Sequence, residues 1–258
     1  MSKQLAEQLW KARLGGTLID VSTIESPGDE AAAYAVQGAV AMLADAEQVG
    51  FKIGATNEAA IAALGVSGPF YGQLFDRFQR ASGTDVPVAG DHKAVLEAEF
   101  VVALARDLPP RPAEYTQEEV AAAVAWVRPG FEIVATRFDV PLKGNGKLLI
   151  ADCGGNMDFV LGHSTDNWSS ADLTQHPVTL YLNDKEVASG HSGMSVFGHP
   201  FGAVAWLASQ ETLGDRGLKS GDLITTGSCT GLLPVSAGDH ARADYGSLGE
   251  ITTSFVGV

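Results

Sequence analysis

The most constraining segment of the sequence is VLEAEFVVAL (95–104), in which two glutamates interrupt an otherwise apolar stretch. Because successive side chains of a strand point to opposite faces, Glu97 and Glu99 share one face, with their Cα atoms about 7 Å apart. Glutamate is a poor strand former, and two ionised carboxylates on a buried strand need a cation or a shared proton. The alternative is a solvated strand face that carries two exposed acids.

A third acid, Glu132, lies in a similar apolar segment, GFEIVAT (130–136). Before it, the capping box of Thr116 and Glu119 predicts a helix that ends at residues 128–130. A strand, a crossover helix and a second strand would bring Glu132 beside the first two acids. Three carboxylates without a thiolate or histidine partner favour a hard cation, so the pattern predicts a site for Mg²⁺ or Mn²⁺.

The rest of the chain divides into a helical first part and a strand-rich remainder. The predicted elements are helices at 5–14, 27–46, 57–64 and 200–214, and strands at 222–227 and 249–255. The connections are short, and no composition break marks a flexible linker. We therefore expect an α+β fold, with an N-terminal helical region (1–80) packed on a β-rich catalytic domain (81–258).

Charge and composition exclude several classes of function. The chain has 31 acidic and 17 basic residues, a formal net charge of −14, which argues against binding to nucleic acid or to an anionic membrane surface. No apolar run approaches the roughly 18 residues that a membrane span needs, and the start MSKQLAEQLWKAR has no signal core. Cys153 and Cys229 are too few for a disulfide framework. We expect a cytoplasmic globular protein without nucleic-acid or membrane partners.

Seven segments follow one another in a characteristic order along most of the chain. They are FKIGATNEAAIAALGV (51–66), EAEFVVALARDLP (97–109), WVRPGFEIVATRF (126–138), ADCGGN (151–156), GHPFGAVAWLA (198–208), GDLITTGSCTGLLPV (221–235) and AGDHARADYGSLGEITTSF (237–255). This order of motifs resembles the fumarylacetoacetate hydrolase superfamily. Within it the chain is most similar to the bacterial branch of 2-hydroxypentadienoate (2-keto-4-pentenoate) hydratases and 4-oxalocrotonate decarboxylases.

The resemblance implies a fold and a type of chemistry. The fold would be a roll of mixed β-sheets around a pocket, with helices at the N-terminus. Glu97, Glu99 and Glu132 would hold a divalent ion, and the substrate would be a small 2-oxo acid or its enol that chelates this ion. By resemblance alone, we also expect a homo-oligomer.

Four further residues are candidates for the site. Lys52, in the apolar segment GFKIGAT, is predicted to hold the substrate carboxylate or to move protons, the alternative being a surface lysine. Ser228 and Thr230, in the glycine-bracketed GSCTG, are predicted to contact substrate oxygens, although the same segment is also typical of a plain turn. Asp152 is predicted to support catalysis, and its alternative role is to cap a turn.

The motifs leave the reaction open. Hydratases of this branch usually have Pro-Asp-Phe-Gly where this chain has PFYG (69–72), which is closer to the decarboxylase Pro-Ile-Tyr-Gly, and Thr230 also favours decarboxylases. Both branches usually have Ala-Asp-Asn where this chain has ADC (151–153). We expect a metal-dependent lyase that hydrates 2-hydroxypenta-2,4-dienoate in aromatic meta-cleavage catabolism. The alternatives are a 4-oxalocrotonate-type decarboxylase, then a C–C hydrolase, or a non-catalytic protein of the same fold.

Overall fold

The computed structural model describes residues 2–165 and 168–258, which form six α-helices and thirteen strands. The α-helices are α1 (Ser2–Gly15), α2 (Glu30–Leu43), α3 (Glu58–Leu64), α4 (Gln117–Ala121), α5 (Gly146–Ala151) and α6 (Pro200–Ala208). The strands are β1 (Gln48–Gly54), β2 (Phe70–Phe75), β3 (Gln79–Ala81), β4 (Asp85–Val88), β5 (Val95–Leu104), β6 (Val124–Val134), β7 (Asn156–Leu161), β8 (Pro177–Leu182), β9 (Lys185–His191), β10 (Leu223–Thr225), β11 (Leu233–Pro234), β12 (His240–Asp244) and β13 (Glu250–Gly257).

Two of the three N-terminal helices, α2 and α3, begin at residues that helix capping favours. Asp29 accepts a hydrogen bond from Ala32 N at the start of α2. Asn57 accepts one from Ala60 N at the start of α3, which ends at Gly65 in the left-handed conformation (φ 69°). The predicted helices in this part of the chain are thereby confirmed.

The strands form two mixed sheets. The eight-stranded sheet has the order β2-β1-β10-β5-β6-β7-β3, with β11 paired to β5, and the five-stranded sheet has the order β4-β13-β12-β8-β9. β1 runs parallel to β10, β3 to β7 and β4 to β13, and the other pairs are antiparallel. The α+β class with mixed sheets and N-terminal helices is confirmed.

Two apolar cores hold these layers together. The larger core fills the space between the two sheets and α6; its members include Phe51, Phe100, Phe131, Leu180, Val204, Ala243 and Phe255. The smaller core packs α1 and α2 against α5 and β2; its members include Leu5, Leu9, Val36, Val40, Phe70, Phe75 and Leu149. The helical layer therefore covers β2, next to the strand that carries Lys52.

The first 80 residues are not helical throughout. β1 and β2 lie in this stretch, and both belong to the same sheet as β5 and β6. The division of the chain at residue 80 stays a prediction, but the strands that build the site come from both sides of it.

The helix predicted before Glu132 is much shorter than expected. The capping box of Thr116 and Glu119 is present, yet α4 ends at Ala121, and β6 begins at Val124. The β-branched Val124 and Val127 lie on a strand that pairs with β5 over its whole length, so sheet pairing outweighs the local helical pattern. The predicted crossover is also wrong, because β5 and β6 are antiparallel.

None of the helices in the described residues is long and apolar enough to cross a membrane.

Candidate metal centre

Glu97, Glu99 and Glu132 meet on one face of the β5–β6 pair. Glu97 lies directly opposite Glu132 in the antiparallel register, and Glu99 lies opposite Gly130. Each glutamate has one carboxylate oxygen within 4.8 Å of the corresponding oxygens of the other two. Glu99 and Glu132 are fully buried, and Glu97 is half-buried. The structure thus brings together the three acids that the sequence pattern predicts as ligands.

Lys52 reaches the same face from β1. It is opposite Thr225 of β10, and Thr225 is opposite Val101 of β5, so the register places all of these side chains on one side of the sheet. The Lys52 ammonium lies 3.0 Å from Glu132 Oε2, and its side chain is 3% exposed. A surface lysine, the alternative interpretation of this residue, is therefore wrong.

Gly154 lets the main chain pack directly against the stem of Lys52. A Cβ atom at Gly154 would lie 2.6 Å from Lys52 Cδ, and the backbone there is left-handed (φ 68°). Only glycine meets both conditions at low cost. The turn that precedes β7 therefore confines the lysine side chain and directs its ammonium toward the carboxylates.

Burial and the neighbouring charges shift the pKa values of Glu97, Glu99 and Lys52. Burial, together with the charge of Glu132, raises the pKa of Glu97 to about 7, although Lys52 lowers it. Burial and the two neighbouring carboxylates raise the pKa of Glu99 well above its usual range. Burial alone would lower the pKa of Lys52, but the three glutamates outweigh this effect and raise it. Lys52 is therefore a stable cation beside carboxylates that bind protons more tightly than usual.

The donor set fits a divalent cation. When ionised, three carboxylates and one ammonium leave two negative charges without compensation in a buried place, which is costly. Glu99 Oε2 accepts a hydrogen bond from Gly227 N (2.7 Å), but Glu99 Oε1 is buried without a partner. An all-oxygen set of this kind suits Mg²⁺ or Mn²⁺.

The loop after β10 covers one edge of the centre. Gly227 adopts φ 103°, and a Cβ there would lie 2.5 Å from Thr56, so glycine lets the loop approach Glu99. The Ser228 hydroxyl donates to Gly231 O (3.1 Å) and, beside Glu97, lowers the pKa of that carboxyl.

Thr230 lies in the same loop but faces the edge of β5. Its hydroxyl accepts a hydrogen bond from Ala98 N (3.4 Å), and its own amide donates to Ser228 Oγ (3.4 Å). The loop thus places Ser228 next to the carboxylates, whereas the Thr230 hydroxyl bonds the main chain of the neighbouring strand.

Asp152 lies in a buried ion pair with Arg137. Its Oδ1 accepts from Arg137 Nε (2.8 Å), and its Oδ2 accepts from the Arg137 amide (2.9 Å). Burial raises the pKa of Asp152 in spite of this pairing. Both carboxylate oxygens are thus engaged with one arginine, and this arrangement anchors the turn that precedes β7.

Thr225 and Tyr245 also contact the ligand residues, although the sequence analysis did not select them. Thr225 Oγ1 donates to Glu132 Oε2 at 3.5 Å. The buried hydroxyl of Tyr245 lies 2.9 Å from Glu99 O and 3.0 Å from Gly130 O, so it ties the two ligand strands together. Alternation along the predicted strand 222–227 could have placed Thr225 on the metal face, but no local pattern pointed to Tyr245.

Comparison with known proteins agrees with this geometry. Residues 69–256 match the family described as fumarylacetoacetate (FAA) hydrolase C-terminal. The chain is 30% identical to a TodF product hydratase of Pseudomonas putida F1, over 98% of this chain and 94% of the relative. It is 32% identical to 2-keto-4-pentenoate hydratase 1 of Dechloromonas aromatica, over 88% of this chain and 86% of the relative.

A solved structure covers nearly the whole chain as well. The 4-oxalocrotonate decarboxylase from Pseudomonas putida G7, complexed with magnesium and adipate, superposes with a TM-score of 0.87. The two sequences are 26% identical, and the match covers 99% of this chain and 97% of that one. The resemblance inferred from the sequence motifs is confirmed, and this chain belongs to the fumarylacetoacetate hydrolase family.

Proposed function

We propose that this protein is a divalent-metal-dependent lyase that hydrates 2-hydroxypenta-2,4-dienoate or a closely related small dienol of a 2-oxo acid. The observation that carries the proposal is the convergence of three carboxylates on one buried face, with a lysine ammonium 3.0 Å from one of them. Two relatives named 2-keto-4-pentenoate hydratase are 32% and 30% identical to the chain, over 88% and 97% of its length.

Glu97, Glu99 and Glu132 would hold the cation, which we propose to be Mg²⁺ or Mn²⁺. When bound, the ion supplies Lewis-acid polarisation of the 2-oxo group of the substrate. The three glutamates are rigid ligands because they lie on paired strands. Gly227 N donates to the Glu99 carboxylate, and the Tyr245 hydroxyl donates to the Glu99 main-chain carbonyl. A rigid ligand set keeps the substrate in a fixed orientation for proton transfer.

Lys52 would bind the substrate carboxylate. Its raised pKa keeps the ammonium charged at neutral pH, which favours a role in binding an anion over a role as a general base. Hydration requires a proton at the terminal carbon of the dienol and a hydroxide at its neighbour. Proton transfer by Lys52 is the alternative role, because the carboxylate and the terminal carbon are at opposite ends of the substrate and one ammonium contacts only one of them.

Ser228 would contact a substrate oxygen from the edge of the centre, because its hydroxyl lies beside Glu97. For Thr230, the contact with Ala98 N supports a role in shaping the loop, and direct substrate contact stays a prediction. A catalytic role for Asp152 also stays a prediction. Its engagement with Arg137 supports the interpretation that it acts by holding the turn beside Lys52.

Decarboxylation of a 4-oxalocrotonate-type acid is the second candidate. The similarity to the decarboxylase structure favours it, as does Phe70, which occupies the position where hydratases of this branch usually have an aspartate. A homo-oligomeric state and a cytoplasmic location stay predictions.

Turnover with defined substrates tests the proposal. Protein stripped of metal with EDTA would be offered 2-hydroxypenta-2,4-dienoate and, separately, 4-oxalocrotonate, with and without Mg²⁺ or Mn²⁺. Loss of the dienol absorbance without release of CO₂, only when metal is present, is the expected result. Release of CO₂ from the second substrate alone would establish the decarboxylase instead, and no reaction with either substrate would contradict both candidates.

A further inference from the structure

Asn156, the first residue of β7, contacts the third acid of the centre. Its side chain is fully buried, and Nδ2 donates to Glu132 Oε1 at 3.3 Å. The sheet register places it on the correct face, because Asn156 is opposite Val134, two residues beyond Glu132 on β6. Glu132 Oε2 lies against Lys52, so the two oxygens of this carboxylate have different and fixed neighbours.

Arg13 determines which way the Asn156 amide points. Arg13 Nη2 donates to Asn156 Oδ1 at 2.8 Å and to Met157 O at 3.1 Å. If the amide were reversed, its NH₂ group would face the guanidinium, and its oxygen would face the Glu132 carboxylate, so both contacts would be lost. The arginine thus fixes Nδ2 toward Glu132.

Arg13 is a buried cation that no carboxylate neutralises within the described residues, so its burial lowers the stability of the folded protein. Arg13 forms no salt bridge within the described residues, and its Nε and Nη1 atoms are buried without a partner. Its guanidinium lies over the Phe78 ring, 3.9 Å from the ring centre, and this contact restricts where the guanidinium can lie. Burial and the nearby charge of Arg137 lower the pKa of Arg13 to about 10.

The turn before Asn156 has a strained backbone, and its path determines where the Asn156 side chain enters the sheet. Cys153, Gly154 and Gly155 have φ values of 50°, 68° and 71°, three consecutive left-handed residues. A non-glycine residue such as Cys153 adopts this conformation only at a cost. The turn packs on the Lys52 stem at one end and delivers Asn156 to the sheet at the other.

We propose that Asn156 is a positioning residue of the metal centre, and that Arg13 of the N-terminal helix acts through it to fix the Glu132 carboxylate. This inference rests on the proposed function, because it takes Glu132 to be a metal ligand. It assigns the N-terminal helix, which precedes the residues 69–256 matched to the family, a part in metal binding. Residues of this kind, which orient a ligand through a hydrogen bond, typically affect metal affinity about 10- to 100-fold when they are replaced.

The test measures Mn²⁺ affinity and the Mn²⁺ electron paramagnetic resonance spectrum of the full chain. Asn156→Leu removes the donor at similar volume, and we expect its Kd to rise about 10- to 100-fold. We expect Arg13→Met to show a smaller rise and the same kind of spectral change. The double variant should bind no more weakly than Asn156→Leu alone, because Arg13 acts through Asn156.

Arg80→Met is the matched control. Arg80 also bonds β7, through Asp158 at 2.7 Å, but within the described residues it makes no hydrogen bond to the three acids. The Arg80→Met variant should therefore bind Mn²⁺ with the Kd of the wild type. If Asn156→Leu does not fold, the Mn²⁺ affinity and the spectrum of Arg13→Met are compared with those of the wild type instead. Wild-type affinity in both variants would overturn the inference, as would additive effects in the double variant, whereas a wild type that binds no Mn²⁺ would overturn the proposed function itself.

Discussion

Lys52 Nζ and Glu132 Oε2 are 3.0 Å apart, although β1 and β6 are separated by β10 and β5 in the sheet. Three strand spacings in a flat sheet would separate the two backbones by about 14 Å. The ion pair is possible because the sheet curls and places both side chains on its concave face. The sequence supplies the charged side chains, and the curl of the sheet brings them together in the metal centre.

Replacement of Lys52 tests its separate role in substrate binding. Lys52→Met keeps the apolar stem but removes the charge, so the three carboxylates should bind Mn²⁺ at least as tightly as in the wild type. We expect kcat/KM for the dienol to fall by about 100-fold or more, the size of a lost charged contact in a buried site. Lys143→Met, at an exposed position, is the control, and unchanged kinetics in Lys52→Met would remove this residue from the mechanism.

The pH dependence of metal binding follows from the protonation of the acids. The pKa of Glu97 is about 7 in the folded protein, so a proton competes with the cation below that pH. Affinity for Mn²⁺ should rise from pH 6 to pH 8, by about tenfold per pH unit below 7 if one proton is displaced.

The same pKa shift predicts an opposite trend for the metal-free protein. Between the usual glutamate pKa of 4.5 and about 7, Glu97 holds a proton in the folded protein that it has lost in the unfolded chain. The free energy of unfolding should therefore fall as the pH rises through this range and level off above it.

The control for the pH dependence of metal binding is Asp158→Asn, which changes a buried acid outside the metal centre. This variant should show the same change of Mn²⁺ affinity with pH as the wild type. A wild-type affinity that is flat from pH 6 to pH 8 would contradict the raised pKa of Glu97.

The Arg137–Asp152 pair should be important for stability. Arg137→Met leaves the Asp152 carboxylate buried without its partner, which should lower the free energy of unfolding by about 3–5 kcal/mol. Arg242→Met breaks the more exposed pair with Glu250 and should change it by less than about 1 kcal/mol. Urea unfolding measures both, and equal effects in the two variants would show that the buried pair is not a structural anchor.

Tyr245 should contribute to stability through its hydroxyl alone. Tyr245→Phe keeps the ring packing on Phe100 but leaves the buried carbonyls of Glu99 and Gly130 without that donor. We expect the free energy of unfolding to fall by about 1–3 kcal/mol. Tyr181→Phe is the matched control at a less buried site, and a Tyr245→Phe protein as stable as the wild type would contradict the assignment.

The sequence was most informative where one local rule fixed the outcome. Alternation along a strand placed Glu97 and Glu99 on one face, and two acids in an apolar strand demanded a partner. Glu132 stood out for the same reason. The helix that begins after Asn57 likewise depended on a local rule, because the Asn57 side chain caps an amide only three positions away.

Features that depend on distant pairing were not predictable in the same way. The direction of β6 against β5, and hence the pairing of Glu97 with Glu132, depends on how the connecting segment folds back. The local sequence around Val124 and Val127 is compatible with a helix, but both residues lie on β6 because they pair with β5. Arg13 and Arg137 are buried by contacts with residues more than ten positions away, so nothing in their neighbourhoods marked them as charges of the interior.

Metal binding by Glu99→Gln, set beside the wild type, tests the central claim most directly. Glutamine keeps the shape and the contact with Gly227 N but removes one ligand charge, so the variant should fold and, without metal, be at least as stable as the wild type. A Mn²⁺ titration with turnover of 2-hydroxypenta-2,4-dienoate at each point would be made on both proteins. The account predicts saturable binding that parallels turnover in the wild type, and the loss of both in the variant. Metal-dependent turnover at the wild-type rate in Glu99→Gln would contradict it.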